Sequence, residues 1–293
     1  MSLAAQRLTP LTLELGGKDA LIVLKDADVR RAAKAACWGS FVNCGQTCAA
    51  VKRIYAHGSL MGRFSALFLE EVRSLRQGYD PDDPGITVGP LISETAVRDM
   101  EGQVARAVEQ GAEVLIGGRR PPALNGHFFE PTVLANVTHD MDLIRQETFG
   151  PVVALMAFQD EEEAVRLAND SPFALSGSVW TSDLGKGKEF ATRLRSGTIT
   201  VNNVAYTFGL GATPWGGRGE SGFGRTHGDA GLEELVEMQH VHLDKGKFPS
   251  EIWWPPHRQE SKEVMHDVIE LVSNGARGRP LQRLLKARRL MKR

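Results

Sequence analysis

The chain has few cysteines, no long apolar run and almost no net charge, and each shortage removes a class of function. Only three of its 293 residues are cysteine, namely Cys37, Cys44 and Cys48, all within twelve positions. They are too few and too local to staple a secreted scaffold, which points to a reducing compartment and makes the cytoplasm the expected location. Lys and Arg number 35 against 36 Asp and Glu, a net charge of −1, so no global field draws the chain to nucleic acid or to a lipid surface. No apolar run is long enough to cross a bilayer, and residues 1–8 lack the apolar stretch and cleavage site of a secretory signal. No repeat of solenoid length is present. The run Gly16-Gly17-Lys18 lacks the Gly-x-x-x-x-Gly-Lys-Ser/Thr spacing of a phosphate loop. What remains is a soluble globular chain with enough length to bury a substantial core.

Strand-like and helix-like segments alternate along it. Short strands are expected at 11–15, 20–24, 52–56, 114–116, 152–158, 176–181 and 198–201. Helices are expected from Asp28, an N-cap, to about Trp38, then at 60–76, 93–110, 161–169 and 185–195. Such alternation implies an α/β fold with a mostly parallel sheet and helices on both faces. A glycine-rich stretch (209–228), a short helix near 231–235 and a strand at 236–243 follow. Beyond Glu270 no acidic residue occurs while Arg and Lys accumulate, so a basic C-terminal tail is expected. The expected division is a lead-in at 1–18, a main domain at 19–245 and the tail at 246–293.

Two segments carry chemistry. Phe41 to Cys48 links a helix to the strand at Lys52, and Gly45 allows a sharp turn that sets Cys48 just before that strand. Exposure in such a turn favours thiolate character, which a cysteine nucleophile needs. An intracellular cysteine is more often a small buried hydrophobe, and that reading suits Cys37 and Cys44. Glu14 lies in an apolar strand, where an unpaired carboxylate is costly, and two glycines follow that let it move without strain. It suits a general base; the alternative is a strand-end salt bridge to Lys18.

Glu14-Leu-Gly-Gly-Lys18 and Asn43-Cys-Gly-Gln-Thr-Cys48, with the cysteine 34 residues after the glutamate, are followed by Glu147-Thr-Phe149-Gly-Pro151. Val201-Asn-Asn203, Pro214-Trp-Gly-Gly217 and Ser221-Gly-Phe-Gly-Arg225 complete an ordered series. Over residues 8–245 the series resembles the aldehyde dehydrogenase superfamily. The resemblance implies oxidation of an aldehyde to a carboxylic acid with NAD or NADP, through a cysteine thiohemiacetal and a thioester. Matched by motif, Cys48 is the nucleophile and Glu14 the base. The Cys48 N–H is one oxyanion donor, Glu147 binds a cofactor ribose, and Phe149 packs near the nicotinamide. Asn203 and Phe208 become substrate-pocket candidates, and the Pro214–Gly217 and Ser221–Arg225 motifs read as structural. No metal is implied.

Complete family members carry a cofactor-binding half ahead of the Glu14 motif, so the chain is expected to be the catalytic portion, nearly inert alone. The resemblance also implies a homo-oligomer, dimer or tetramer, in which the strand at 236–243 joins a neighbouring subunit. Leu281, Leu284, Leu285 and Leu290 on a basic helix would allow weak contact with an anionic membrane surface; a solvated basic end is the plainer reading. Trp253-Trp254-Pro255-Pro256 is expected to be a stiff turn packed on the main domain. The alternatives in function are a cysteine hydrolase or esterase, which usually needs a positioned histidine, and a non-catalytic oligomerisation module. The substrate branch suggested is medium and long-chain aliphatic or aromatic aldehydes.

Overall fold

The structure, a computed structural model, describes residues 1–247, 249, 251, 253–255, 257 and 259–274. The chain divides into two compact units, 1–237 and 238–293. The first is built on a seven-stranded sheet. In chain order its elements begin with a short helix α1 (Ser2–Ala5) and a two-residue strand β1 (Leu13–Glu14). Next come β2 (Asp19–Val23), α2 (Val29–Phe41), β3 (Val51–His57), α3 (Gly58–Arg73), α4 (Glu94–Glu109), β4 (Glu113–Ile116) and β5 (Thr132–Ala135). Then follow α5 (Asp142–Arg145), β6 (Val152–Phe158), α6 (Glu161–Asn169), β7 (Phe173–Ala174), β8 (Ser176–Trp180), α7 (Leu184–Thr192) and β9 (Thr198–Val201). Short strands β10 (Arg218–Gly219) and β11 (Gly222–Phe223) and the helix α8 (Gly228–Glu233) close the unit.

Local chemistry explains the boundaries. The carboxylates of Asp28, Asp160 and Asp183 and the hydroxyl of Ser93 accept backbone N–H groups in the first turns of α2, α6, α7 and α4, satisfying donors that a helix start leaves free. β2 and β8 are buried along their whole length, as strands covered on both faces must be. The sheet order is β4-β5-β6-β3-β2-β8-β9, and only the β4–β5 pair is antiparallel. From the central β2 the chain first moves outward through β3 and later returns to β8 and β9 on the other side. Right-handed crossovers therefore put α2 and α3 on one face and α6 and α7 on the other. Leu21, Ile22, Ile54, Tyr55, Phe64, Phe68 and Phe158 lie at the centre of the core.

Val236–Leu243, expected as a strand, forms no ladder among the described residues. Leu235, Val236, Met238, Val241 and Leu243 are exposed. A strand exists only where a neighbour completes its hydrogen bonds, and the described residues offer none. In the second unit a helix α9 (Gln259–Asn274), unread from sequence, follows a turn in which Trp254 N–H donates to Glu251 O at 3.0 Å. Trp253 and Trp254 are more than half exposed. Leu281, Leu284, Leu285, Leu290 and the accumulated basic residues lie outside the described residues. No helix among the described residues is long and apolar enough to cross a membrane.

Candidate active site

Three motifs far apart in sequence meet because each leads into one of three adjacent parallel strands. Glu14–Lys18 precedes β2, Cys48 precedes β3, and Glu147–Gly150 precedes β6; β2, β3 and β6 are neighbours of one orientation. The site therefore sits at the amino ends of the strands, opposite to the usual crevice of open α/β sheets at the carboxyl ends. The approach is tight. A Cβ on Gly17 would stand 2.3 Å from the Cys48 carbonyl oxygen, and one on Gly16 would stand 2.3 Å from a Glu147 carboxylate oxygen. The glycines thus serve close packing of the motifs, whereas the sequence suggested freedom for Glu14 to move.

Ahead of Cys48 the chain turns through Asn43 and Cys44 with φ of 50° and 57°. The Asn43 and Gln46 side chains each bond the other's carbonyl, at 3.0 and 3.3 Å, and Gln46 Oε1 accepts Ile92 N–H at 2.9 Å. Gln46 thereby fixes the loop that presents Cys48. The Cys48 backbone N–H has no acceptor among the described residues.

Cys48, Glu14, Glu147, Phe149, Phe208, Trp215 and His227 line one open cavity of about 690 Å³. The other two cysteines are buried, and burial pushes both thiols up to about 12. Cys48 is half-buried, and its thiol is also pushed up to about 12, first by desolvation and then by the Glu14 carboxylate beside it. This corrects the expectation that the turn favours a thiolate. Among the described residues, no Lys or Arg lines the cavity against the sulfur, so the resting group is a thiol, with the Glu14 carboxylate in the same cavity. Glu14 also accepts the Trp215 indole N–H at 3.4 Å. β1 pairs with β11, Glu14 opposite Gly222, and Trp215 and Thr226 exchange reciprocal backbone hydrogen bonds of 2.8 Å. The Ser221–Arg225 motif thus braces the base, and the Pro214–Gly217 motif supplies it with a partner.

Glu147 Oε1 accepts Gly17 N–H at 3.2 Å, and its backbone carbonyl accepts Gln103 Nε2 at 3.0 Å. Glu147 and the 46 % exposed ring of Phe149 also border a groove of about 450 Å³ beside α4. Phe208 stands edge-on to Trp215, ring centroids 6.4 Å apart. Asn203 lies apart from the cavity lining. Its Oδ1 accepts the Val204 N–H at 2.8 Å, and its carbonyl takes the Ser178 and Thr200 hydroxyls at 2.6 Å. Its side chain closes a turn.

Behind the cavity lies a layer the sequence reading passed over. Lys18, Asp19, Lys52 and Arg53 are 2–3 % exposed. Lys18 donates to Thr148 Oγ1, and Lys52 Nζ bridges Gly45 O and Gly150 O at 3.0 and 2.5 Å. Asp19 accepts the Ser176 N–H and hydroxyl. Arg53 donates to the carbonyls of Lys18, Leu167 and Ala168 at 2.8 to 3.1 Å. Burial lowers Lys18, brings Lys52 down to about 7 and raises Asp19 to about 7. The available signal was charge inside apolar strands: Lys52-Arg53 opens β3, and Lys18-Asp19 opens β2. Among the described residues, no group of three His, Cys, Asp or Glu side chains could hold a metal.

Comparison with known proteins follows this geometry. The model of the aldehyde dehydrogenase family matches residues 1–241. A Mycobacterium ulcerans protein provisionally named as an NADP(+)-linked succinate-semialdehyde dehydrogenase is 41 % identical over 239 residues, 81 % of this chain and 46 % of that protein. The 4,4'-diapolycopene aldehyde oxidase of a Methylomonas species is 36 % identical over 291 residues, 98 % of this chain and 54 % of its own length. The crystal structure of Mycobacterium tuberculosis aldehyde dehydrogenase with NAD+ superposes with a TM-score of 0.79 at 40 % identity, over 83 % of this chain and 50 % of that one. The chain spans about half the length of the curated relatives it matches. With the family model covering most of its residues and its motifs gathered around one cavity, the chain belongs to the aldehyde dehydrogenase family.

Proposed function

We propose that this chain carries the covalent chemistry of an NAD(P)-dependent aldehyde dehydrogenase. The observation that carries the reading is that Cys48 and Glu14 line one cavity together with Glu147 and Phe149. As the sulfur adds to an aldehyde carbon, its proton passes to Glu14 and the new thiohemiacetal oxygen faces the free Cys48 N–H. A nicotinamide cofactor, when bound, supplies the hydride acceptor that turns this adduct into a thioester. Once Glu14 has given the thiol's proton up to solvent, it takes a proton from the water that attacks the thioester and returns it to the departing sulfur, which frees the acid and the thiol.

The residues present suit the nicotinamide end of such a cofactor. Glu147 has one carboxylate oxygen anchored on Gly17 and the other free to accept ribose hydroxyls, with an exposed aromatic ring two residues on. The wall of Phe149, Phe208 and Trp215 suits an aliphatic or aromatic aldehyde. The names of the relatives, one for a semialdehyde and one for a polyene aldehyde, leave chain length open. We further propose that the segment 236–243 pairs with a second copy of the chain, as unpaired apolar strands do. Sedimentation showing only monomer would remove that assembly. The cytoplasm is the proposed location.

Ester hydrolysis tests the catalytic reading without a cofactor. With p-nitrophenyl acetate, Cys48→Ala is expected to abolish turnover. Glu14→Gln is expected to slow acylation of Cys48 as well as deacylation, so that the acetyl thioester builds up slowly without turnover, seen as a 42 Da mass increase (the mass of an acetyl group replacing hydrogen, roughly). Undiminished turnover in Cys48→Ala would sink the assignment of the nucleophile.

A further inference from the structure

His227 occupies a backbone state that a side chain does not tolerate well. Its φ of 66° and ψ of 158° belong to a region that essentially only glycine adopts. Its surroundings impose that state. Thr226 is locked to Trp215 by the reciprocal 2.8 Å pair, and Gly228 N–H donates to Gly211 O at 2.9 Å. Glycine would make the same turn without strain, so the imidazole itself needs an explanation.

The ring supplies one. His227 Nδ1 is buried and has no hydrogen-bond partner. A buried N–H without an acceptor is rarer and costlier than a bare lone pair, so the neutral ring carries its proton on Nε2. That nitrogen is not shut away, and no acceptor among the described residues takes its proton. His227 lines the cavity that holds Cys48, Glu14 and Trp215, and also borders a second cavity beside α8. It is a donor without a protein acceptor, set in a strained turn on the wall of the nucleophile's pocket. Resting on the aldehyde reading of that pocket, we propose that His227 is a substrate-contacting residue whose Nε2–H donates a hydrogen bond to the carbonyl oxygen of the aldehyde or ester held beside Cys48.

Histidine-selective ¹⁵N labelling of the chain tests this, with His227→Gln identifying the signals. The expected spectrum shows the proton on Nε2, and saturating benzaldehyde moves that signal. A proton on Nδ1, or a signal that stays still while Cys48 is engaged, overturns the proposal. With p-nitrophenyl acetate, His227→Leu is expected to raise KM about tenfold, the worth of one hydrogen bond, with kcat within about twofold. Gln, which keeps an N–H and has the same backbone cost, is expected to restore most of the binding. His227→Gly is expected to raise the urea midpoint while weakening ester binding, whereas a merely structural histidine would lose stability on replacement by Gly. Unchanged KM in His227→Leu also overturns the contact. Loss of turnover in Cys48→Ala tests the underlying reading separately, so the two can fail independently. If wild type hydrolyses no ester, the benzaldehyde titration decides alone.

Discussion

The cavity and the charged layer behind it lie only a few residues apart, yet they satisfy their polar groups in opposite ways. In the layer, Arg53 alone donates to three backbone carbonyls and Lys52 spans two more. At the cavity, among the described residues, Cys48 N–H has no acceptor, His227 has no partner for either ring nitrogen, and the Glu14 side chain keeps one long bond to an indole. Buried polar groups are normally paired. The difference separates residues that hold the loops from residues left free to meet a ligand. Lys52 shows how closely the two are joined. Its ammonium ties the loop of Cys48, through Gly45, to the loop of Glu147, through Gly150.

The sharpest way to break the contrast is Arg53→Met. Methionine fills similar volume but leaves the carbonyls of Lys18, Leu167 and Ala168 dry, each at a cost of about 1–3 kcal/mol. Urea unfolding is expected to lose roughly 3–5 kcal/mol, large for one substitution. A loss under about 1 kcal/mol would show that water or relaxed backbone satisfies those carbonyls, and the layer would not be the brace described. Lys52→Met strands two carbonyls, so a loss of about 2–3 kcal/mol is expected. It is also expected to lower ester turnover, because the loops of Cys48 and Glu147 lose their common tie. Full activity in a folded Lys52→Met chain would uncouple the brace from the site.

The same contrast explains what was legible in the sequence. Periodicity and caps gave β6, α6 and β9 to the residue and most other elements within a few positions, because those signals are local. β5 was missed: its four residues follow a long loop and carry no alternation of their own. The strand at 236–243 was expected from its apolar residues, but pairing depends on a partner outside the segment. Glu14, Cys48, Glu147 and Phe149 could be named from motif order, and their meeting followed once β2, β3 and β6 proved adjacent. Neither the state of the Cys48 thiol nor the roles of Trp215 and His227 could be read, since all three depend on what stands across the cavity. Asn203 matched a motif, yet its amide turned to its own backbone. Lys18 and Asp19 were visible as letters, but their burial comes from β3 and β8 packing on either side of β2.

Asp19 sharpens the comparison through pH. Burial raises its carboxyl from 3.8 to about 7, so the folded chain keeps a proton there that the unfolded chain has released. The stabilisation is complete below pH 3.8 and is lost as pH rises to about 7, at up to about 1.4 kcal/mol per pH unit. Asp19→Asn retains an oxygen for Ser176 and removes the titration. Urea unfolding at pH 5 and pH 8 is expected to show a smaller decline for Asn than for wild type. Identical declines would mean that Asp19 is ionised throughout and held by Lys52 and Arg53.

The smallest effect expected is at Trp215, the single place where the cavity's base is tied to a neighbour. Trp215→Phe keeps an aromatic face against Phe208 and removes only the indole N–H, whose bond to Glu14 is long at 3.4 Å. A neutral-to-charged hydrogen bond of that length lies at the weak end of the usual range, about 0.5–1 kcal/mol. The acetyl thioester at Cys48 is therefore expected to hydrolyse about two- to fivefold more slowly, because Glu14 spends less time facing it. Acylation of Cys48 should change less, since in that step the carboxylate takes its proton from the thiol in the same cavity and not from a free water. Rapid-mixing ester kinetics separate the two phases. Equal slowing of both would mean that Trp215 shapes the cavity as a whole, and the indole would then belong with the bracing layer instead of with the base.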